Sequence, residues 1–413
     1  MIPVEEALQI ILKNIQVLGL EKVDILDSLG RLLGEEIYAP YHIPHWNNSA
    51  MDGYAVIQED IENASSENPA VLKVVADLPA GYTIQKELKR GEAIRIMTGA
   101  PMPEGSDTVV MVEDTRKDGN QVKIFKVTSK GGNIRKAGED VRKGALVLSP
   151  GSVLRPAGIG MLASLKRSFI SVYQRPTVAV ISTGDELIDV DGDLAGGKIV
   201  SSNTYSLSSL VKDAGATPLI LGIARDKSEE LRERFKVAIR ADMIISSGGV
   251  SVGDYDLVKD ILKELGADMK FWKVTMRPGQ PLAFGVIKDK PSFGLPGNPV
   301  SCMVSFEQFV RPSILKMSGH TRIFRPLIEA RLKDPIKKKE GKKYFIRCIV
   351  SREKGEYSAT TTGEQGSGIL MSMVRANGLI VLPEEKTSFE TGETVKVQLL
   401  DRGFELNENP EYC

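Results

Sequence analysis

Five short stretches between residues 182 and 301 carry residue types suited to phosphate, oxyanion and divalent-cation chemistry. They are Ser182-Thr183-Gly184-Asp185-Glu186, Gly222-Ile223-Ala224-Arg225-Asp226, SSGGVSVGDYD from Ser246 to Asp256, Met276-Arg277-Pro278-Gly279-Gln280-Pro281, and Pro296-Gly297-Asn298-Pro299-Val300-Ser301. Each joins Gly or Pro to a charged or hydroxyl side chain. Gly248 to Gly253 fits GxxxxG, but Asp254-Tyr255 stands where a P-loop has Lys-Ser/Thr, so no lysine meets β/γ-phosphates. What remains is a nest of backbone N–H groups before a helix, able to hold an anion. Asp256 would repel that anion unless a divalent cation sat between them. Mg²⁺ uses one or two carboxylates plus phosphate oxygens, and Glu186 and Asp226 could complete such a set. Asp254 and Asp256 are equally suited to capping the following helix, and both readings stay open.

The other stretches also have two readings. Pro278-Gly279 after Arg277 makes a tight turn that presents a guanidinium outward, and Arg binds oxyanions through a bidentate fork; a surface Arg beside a structural turn looks the same. Pro296 and Pro299 stiffen their loop, and Ser301 near a helix start could cap it. Lys273 either reaches the sheet edge or lies along it. NNSAMDGYAV, from Asn47, holds Asp52 in either a functional loop or a plain Asp-Gly turn, and Thr98 sits in the Gly/Pro-framed loop of IRIMTGAPMPEG.

These loops need elements to position them. From about 175 to 320, strand-type runs (Thr177 to Ile181, Pro218 to Leu221, Met243 to Ile245, Met269 to Val274, Phe293 to Leu295) alternate with helical patterns. That alternation predicts a parallel, doubly wound sheet, with ligands beyond the carboxyl ends of its strands. Residues 4 to 18 show one helical face, and a second helix is predicted over about 22 to 32. Residues 45 to 137 read as a small β domain inserted into a mostly helical one, with a hairpin at Asp118-Gly119. After Phe324 the pattern returns to β. KKKEGKK, from Lys337, reads as a solvated turn.

Composition removes several function classes. The chain has 413 residues and balances 54 Lys and Arg against 54 Asp and Glu, which argues against nucleic acid as the main partner. The opening MIPVEEALQIILKN lacks a signal-peptide pattern, and no run of about 18 apolar residues predicts a membrane span. Cys302, Cys348 and Cys413 form no CxxC, which points to a reducing cytoplasm. The three histidines, His42, His45 and His320, do not suggest a Ser-His-Asp triad or a zinc site.

NNSAMDGYAV, RIMTGAP, AGED at Ala137 to Asp140, STGDEL, SSGGVSVGDYD, MRPGQP, GLPGNPVS and TTGEQGSGILMSM occur in this order. In them the chain closely resembles the molybdopterin molybdenumtransferase (MoeA) family, which includes the plant and gephyrin E domains. The resemblance implies a multidomain α/β and β protein. Its parts would be a helical elongated domain (1–44 with 138–174), an inserted small β domain (45–137), a central doubly wound α/β domain of molybdopterin-binding type (175–324) and a C-terminal small β-barrel-like domain (325–413). It implies a cytoplasmic homodimer that inserts molybdate, or tungstate, into adenylylated molybdopterin with Mg²⁺ and releases AMP. A separate molybdopterin adenylyltransferase would supply the substrate. Matched by motif, Asp52 and Thr98 would line the cleft from the second subunit. Asp140, Glu186, Asp226 and Asp256 would be the acids of activity, with Glu186 and Asp256 on Mg²⁺. Gly248, Gly249, Ser251, Lys273, Arg277, Pro278, Pro296, Pro299 and Ser301 would surround pterin phosphate and molybdate, and Arg347 and Ser367 would bring in the C-terminal domain. Many members have Lys-Pro-Gly-Lys-Pro where this chain has Arg277-Pro-Gly-Gln280-Pro, so one charge is lost at Gln280. Two alternatives are a molybdopterin adenylyltransferase and a gephyrin-like scaffold.

Overall fold

A computed structural model of the chain describes residues 1–249, 257–353 and 355–406. Contacts divide it into two units, Met1–Glu21 with Val172–Cys413, and Lys22–Ser171. Helix α1, Val4–Lys13, has Glu5 and Glu6 in its first turn and Lys13 in its last, charges that oppose the helix dipole. The spacing predicted helix to residue 18, but the chain turns at Asn14, whose side-chain amide bonds back to the Ile10 carbonyl at 2.8 Å. Val4, Ala7 and Ile11 form the buried stripe of α1 and join the core of the first unit.

In the second unit the helix predicted near residues 22 to 32 is absent. Leu20–Asp24 is a strand and Leu26–Ser28 a single 3₁₀ turn. The apolar spacing there imitates a helical stripe, yet Leu26 is 75% and Leu29 53% exposed, so no apolar face is buried to hold a helix. Residues 32 to 49 then run antiparallel to 134 to 153 as a two-chain ribbon, through Leu32↔Val153, Leu146↔Tyr38, Ile43↔Val141 and Ile134↔Ser49. Helix α2, Pro156–Ser164, follows the ribbon.

Between the two sides of that ribbon lies a six-stranded sheet of β1 (Gly53–Val56), β2 (Ala70–Leu78), β3 (Glu92–Ile96), β4 (Thr108–Met111), β5 (Thr115–Asp118) and β6 (Gln121–Ile124). Its order is β4-β1-β3-β2-β6-β5, antiparallel apart from β2–β3. The expected hairpin forms: Asp118 pairs with Gln121, and Gly119 takes φ +60° in the turn. At Gly53 an added Cβ would lie 1.9 Å from the Val110 carbonyl oxygen, so only glycine fits beside Asp52.

The α/β part of the first unit contains β7 (Thr177–Thr183), α3 (Ser202–Asp213), β8 (Thr217–Ala224), α4 (Ser228–Ala238), β9 (Met243–Ser247), α5 (Leu257–Glu264), β10 (Asp268–Lys273), β11 (Pro281–Ile287), β12 (Lys290–Leu295) and α6 (Pro299–Ser305). The sheet order is β8-β7-β9-β12-β11-β10. The four strands β8, β7, β9 and β12 are parallel, but β11 runs against both β12 and β10. The sheet is therefore mixed. Strand β11 escaped the sequence reading because it begins at a proline and turns through Lys288-Asp289, both at positive φ without a glycine. Two antiparallel steps restore direction, so β10 still ends at the same edge as β12. Val178 and Val180 of β7 pack into one core, which holds α1; Ala179 and Ile181 pack into another, with Leu231 and Phe235 of α4. Burial on both faces is why these strands read as continuous apolar runs.

Strands β13 (Leu327–Leu332), β14 (Lys343–Glu353), β15 (Glu356–Thr361), β16 (Gly378–Leu382) and β17 (Thr394–Leu399) close on themselves in the order β14-β15-β13-β17-β16, with β16 pairing back to β14. Closure leaves this small barrel no free edge among the five. Met276-Arg277 adds to β14 as a two-residue strand. Among the described residues no helix is long and apolar enough to cross a membrane.

Ile11 has no exposed surface, so Ile11→Ala should lower unfolding stability by about 2–5 kcal/mol, read from denaturant melts.

Candidate functional site

Strands β7, β9 and β12 deliver Thr183, Ser247 and Leu295 to one sheet edge, and a cleft of about 880 Å³ opens beyond them. Gly248 takes φ +90° and Gly249 φ +63°. An added Cβ at Gly248 would meet the Thr183 carbonyl oxygen at 2.5 Å, and one at Gly249 would meet Val258 Cγ2 at 2.4 Å. The backbone thus passes so close to β7 and α5 that only glycine fits. Thr183 is 3% exposed, and its Oγ1 has no hydrogen-bond partner among the described residues. Pro296 and Pro299 line the same cleft, Pro299 in the first turn of α6. The cap position of α6 is Asn298; Ser301 lies inside the helix, 5% exposed, so it does not occupy the cap. Ser251, Asp254 and Asp256 lie outside the described residues.

Glu186 and Asp226 also line this cleft, from the ends of β7 and β8. The Asp226 N–H donates to Asp185 Oδ1 at 3.2 Å. Arg225 clamps the same turn by donating to the carbonyls of Asp185 (3.0 Å) and Leu187 (2.8 Å). Loss of solvent raises the Asp226 carboxyl above its usual range, and the charges of Asp185 and Glu186 add to that rise. Gly184 takes φ +147° beside Glu186, a backbone conformation that side-chain-bearing residues rarely adopt. Among the described residues no three His, Cys, Asp or Glu side chains form a ready-made metal cluster. A cation at Glu186 and Asp226 would need further oxygens, as Mg²⁺ commonly takes from a substrate.

Arg277 and Pro278 face a different cleft, of about 810 Å³, which they share with the barrel. The Arg277 guanidinium lies 5.7 Å from the centroid of the Tyr344 ring, and Lys338 Nζ 5.0 Å from the same centroid. Arg347 is 1% exposed; its Nε donates to Ser372 Oγ at 3.1 Å and its terminal NH₂ to the Gly366 carbonyl at 3.2 Å. Burial alone pushes its pKa down to about 10, the mark of a buried cation with no carboxylate beside it. Lys337, Lys338 and Lys339 line this cleft as well, with Glu364 among the lining residues. Lys338 is 9% exposed and donates to the carbonyls of Lys339, Lys342 and Glu384. Lys338 alone departs from the reading of KKKEGKK as a solvated turn; Lys337, Lys339, Glu340 and Gly341 are exposed. A local charge run does not reveal that Arg277, over 60 residues earlier, pairs beside Tyr344. Lys342 donates to Gln280 Oε1, so a lysine does reach that position.

The loops at one sheet edge thus serve two clefts. Lys273 lines neither; it is half-buried, and its carbonyl accepts the Ile2 N–H at 3.2 Å. The carbonyl of Ser367 accepts the Val300 N–H at 3.1 Å, tying the barrel to α6. Cys302 and Cys348 are buried, and burial pushes both thiols up to about 12, which keeps them unreactive. In the second unit, Asp52 Oδ1 accepts from both the N–H and the hydroxyl of Thr98, each at 2.7 Å, and these bonds hold the exposed Asp52 carboxyl below its usual range. Asp140 is exposed, and its N–H donates to the Ile43 carbonyl at 3.0 Å. Thr183, Asn203 and Tyr344 were not singled out from the sequence.

Comparison with known proteins finds matches along nearly the whole chain. Residues 2–165 match the MoeA N-terminal region (domain I and II), 179–316 a probable molybdopterin binding domain, and 329–400 the MoeA C-terminal region (domain IV). A molybdopterin molybdenumtransferase of Nostoc sp. is 41% identical over 91% of this chain and 88% of its own length. That of Bacillus subtilis is 38% identical over 97% and 94%. A structure of the molybdopterin biosynthesis MoeA protein from Pyrococcus horikoshii superposes with a TM-score of 0.80 at 31% identity, covering 97% of this chain and 100% of that one.

Gly248→Ala should close the glycine turn against Thr183 and lower stability by roughly 1–3 kcal/mol, checked by thermal melts.

Proposed function

The chain belongs to the molybdopterin molybdenumtransferase family, and from that premise we infer how its two clefts divide the work. It is a transferase of molybdenum acting in molybdenum cofactor biosynthesis, with molybdopterin and molybdate as substrates. Its match over almost the full length, barrel and inserted sheet included, favours this over an adenylyltransferase or a scaffold.

The pterin substrate, in its adenylylated form, occupies the first cleft. The Gly249 N–H and the Thr183 hydroxyl, unpaired among the described residues, take phosphate oxygens there, while the Gly248 N–H is held by the Leu295 carbonyl at 3.1 Å. Glu186, Asp226 and Asp256 suit Mg²⁺, because a carboxyl desolvated beside two like charges gains from a divalent cation. Mg²⁺ bound there would neutralise charge on the pyrophosphate as AMP departs. Molybdate, or the equally sized and charged tungstate, occupies the second cleft. The observation that carries this is Arg347, a buried guanidinium without a carboxylate partner, flanked by Arg277. Lys342 on Gln280 restores the charge that the turn lacks. Pro278, Pro296 and Pro299 hold the loops around both sites, and Ser301, Ser367 and Lys273 support them. Asp52, Thr98 and Asp140 serve the same reaction across a homodimer, and a separate adenylyltransferase in the same cytoplasm supplies the substrate.

With adenylylated molybdopterin, molybdate and Mg²⁺, the protein should release AMP and form cofactor. Glu186→Ala and Asp256→Ala should abolish both; normal AMP release by Asp256→Ala would remove that residue from the site. Arg347→Ala should raise the molybdate concentration needed by at least about tenfold. Asp226 keeps its proton to a higher pH than an ordinary aspartate, and the cation needs it ionised. Mg²⁺ affinity measured by calorimetry should therefore fall as pH drops through that raised pKa, with a flatter profile in Asp226→Asn.

A further inference from the structure

Asn203, at the start of α3, lines the first cleft and is only 8% exposed. Its Nδ2 donates to Ser247 Oγ at 2.7 Å and to the Gly297 carbonyl at 2.8 Å. A carbonyl only accepts, so this second bond decides which end of the amide is nitrogen. Oδ1 must then occupy the other end, and it is buried with no hydrogen-bond partner among the described residues. The side chain is not free to turn away. Its neighbour Thr204 is bonded to Ser182 Oγ at 2.7 Å and Ser201 Oγ at 2.8 Å, which anchors the start of α3 to β7. A buried acceptor held without a donor forfeits a hydrogen bond until something supplies one.

Oδ1 is an acceptor alone, so it disfavours phosphate and molybdate oxygens and favours N–H. Gly297, which holds Asn203 through Nδ2, has its Cβ position 3.9 Å from Gly248 Cα, and Asn203, Gly248 and Gly297 all line the first cleft. We propose that Asn203 is a specificity-determining residue whose Oδ1 accepts from the 2-amino and N3–H edge of the pterin ring. This rests on the first cleft being the molybdopterin cleft. The cleft is then polarised: the Thr183 hydroxyl and the Gly249 N–H for phosphate, acids for a cation, and one amide oxygen for the uncharged donor edge of the heterocycle.

The test has a binding arm and a turnover arm. In the first, 6-hydroxymethylpterin and 6-hydroxymethyllumazine are titrated onto the protein directly; lumazine has an oxygen where pterin has the 2-amino group. Wild type should prefer pterin by roughly tenfold to a hundredfold. Asn203→Ala should lose the preference. In the second arm, Asn203→Ala should raise KM for adenylylated molybdopterin more than it lowers kcat. Equal binding of the two probes by wild type, or no binding of either, overturns the proposal. So does an Asn203→Ala variant with its pterin preference intact and only kcat or thermal stability reduced, which marks a brace for the Gly297 loop. A protein that prefers pterin yet releases no AMP keeps this site and loses the functional reading above.

Discussion

The first cleft depends on a close approach of backbone to backbone. Gly248 passes so near the Thr183 carbonyl that a methyl group would sit 2.5 Å from it. That contact sets Gly248 and Gly249 against the end of β7, where the Gly248 N–H donates to the Leu295 carbonyl of β12 at 3.1 Å. It also brings the Thr183 hydroxyl, buried and unpaired, beside the glycine pair. The parallel strands make the approach possible, because β7, β9 and β12 all end at one edge.

Charge is distributed so that opposite kinds of ligand are kept apart. The first cleft gathers carboxylates at its rim, where Asp226 is raised by desolvation beside Asp185 and Glu186. The second gathers Arg277, Arg347 and lysines of the KKKEGKK run around Tyr344. As proposed above, pterin phosphate with a cation occupies the first environment and the oxyanion the second. The chain joins the two through short links: the 276–281 turn leads into β11, and the 366–367 loop bonds Arg347 through one carbonyl and Val300 of α6 through the next.

Much of this was legible in residue order. The alternating strand and helix runs from 175 to 320, the Asp118-Gly119 hairpin and the return to β after Phe324 appear where the patterns placed them, because each depends on local periodicity or turn chemistry. The same reasoning misplaced a helix at 22 to 32, since spacing cannot tell that Leu26 and Leu29 face water. It also missed β11, whose reversal turns on Lys288-Asp289 rather than an Asn-Gly pair.

The acids, glycines and arginines of the site were visible as types in loops: Glu186, Asp226, Gly248, Arg277. Sequence by itself determined that such loops follow strands of an α/β sheet, and its motif order determined the family. Only tertiary structure decided that these loops divide between two clefts, that Lys338 and Arg347 are buried rather than solvated, and that Asn203 is left with an unpaired oxygen. The reason is that hydrogen-bond partners and desolvation are set by residues distant in the chain. Gly297 orients Asn203 from 94 positions away, and local order holds no record of that bond.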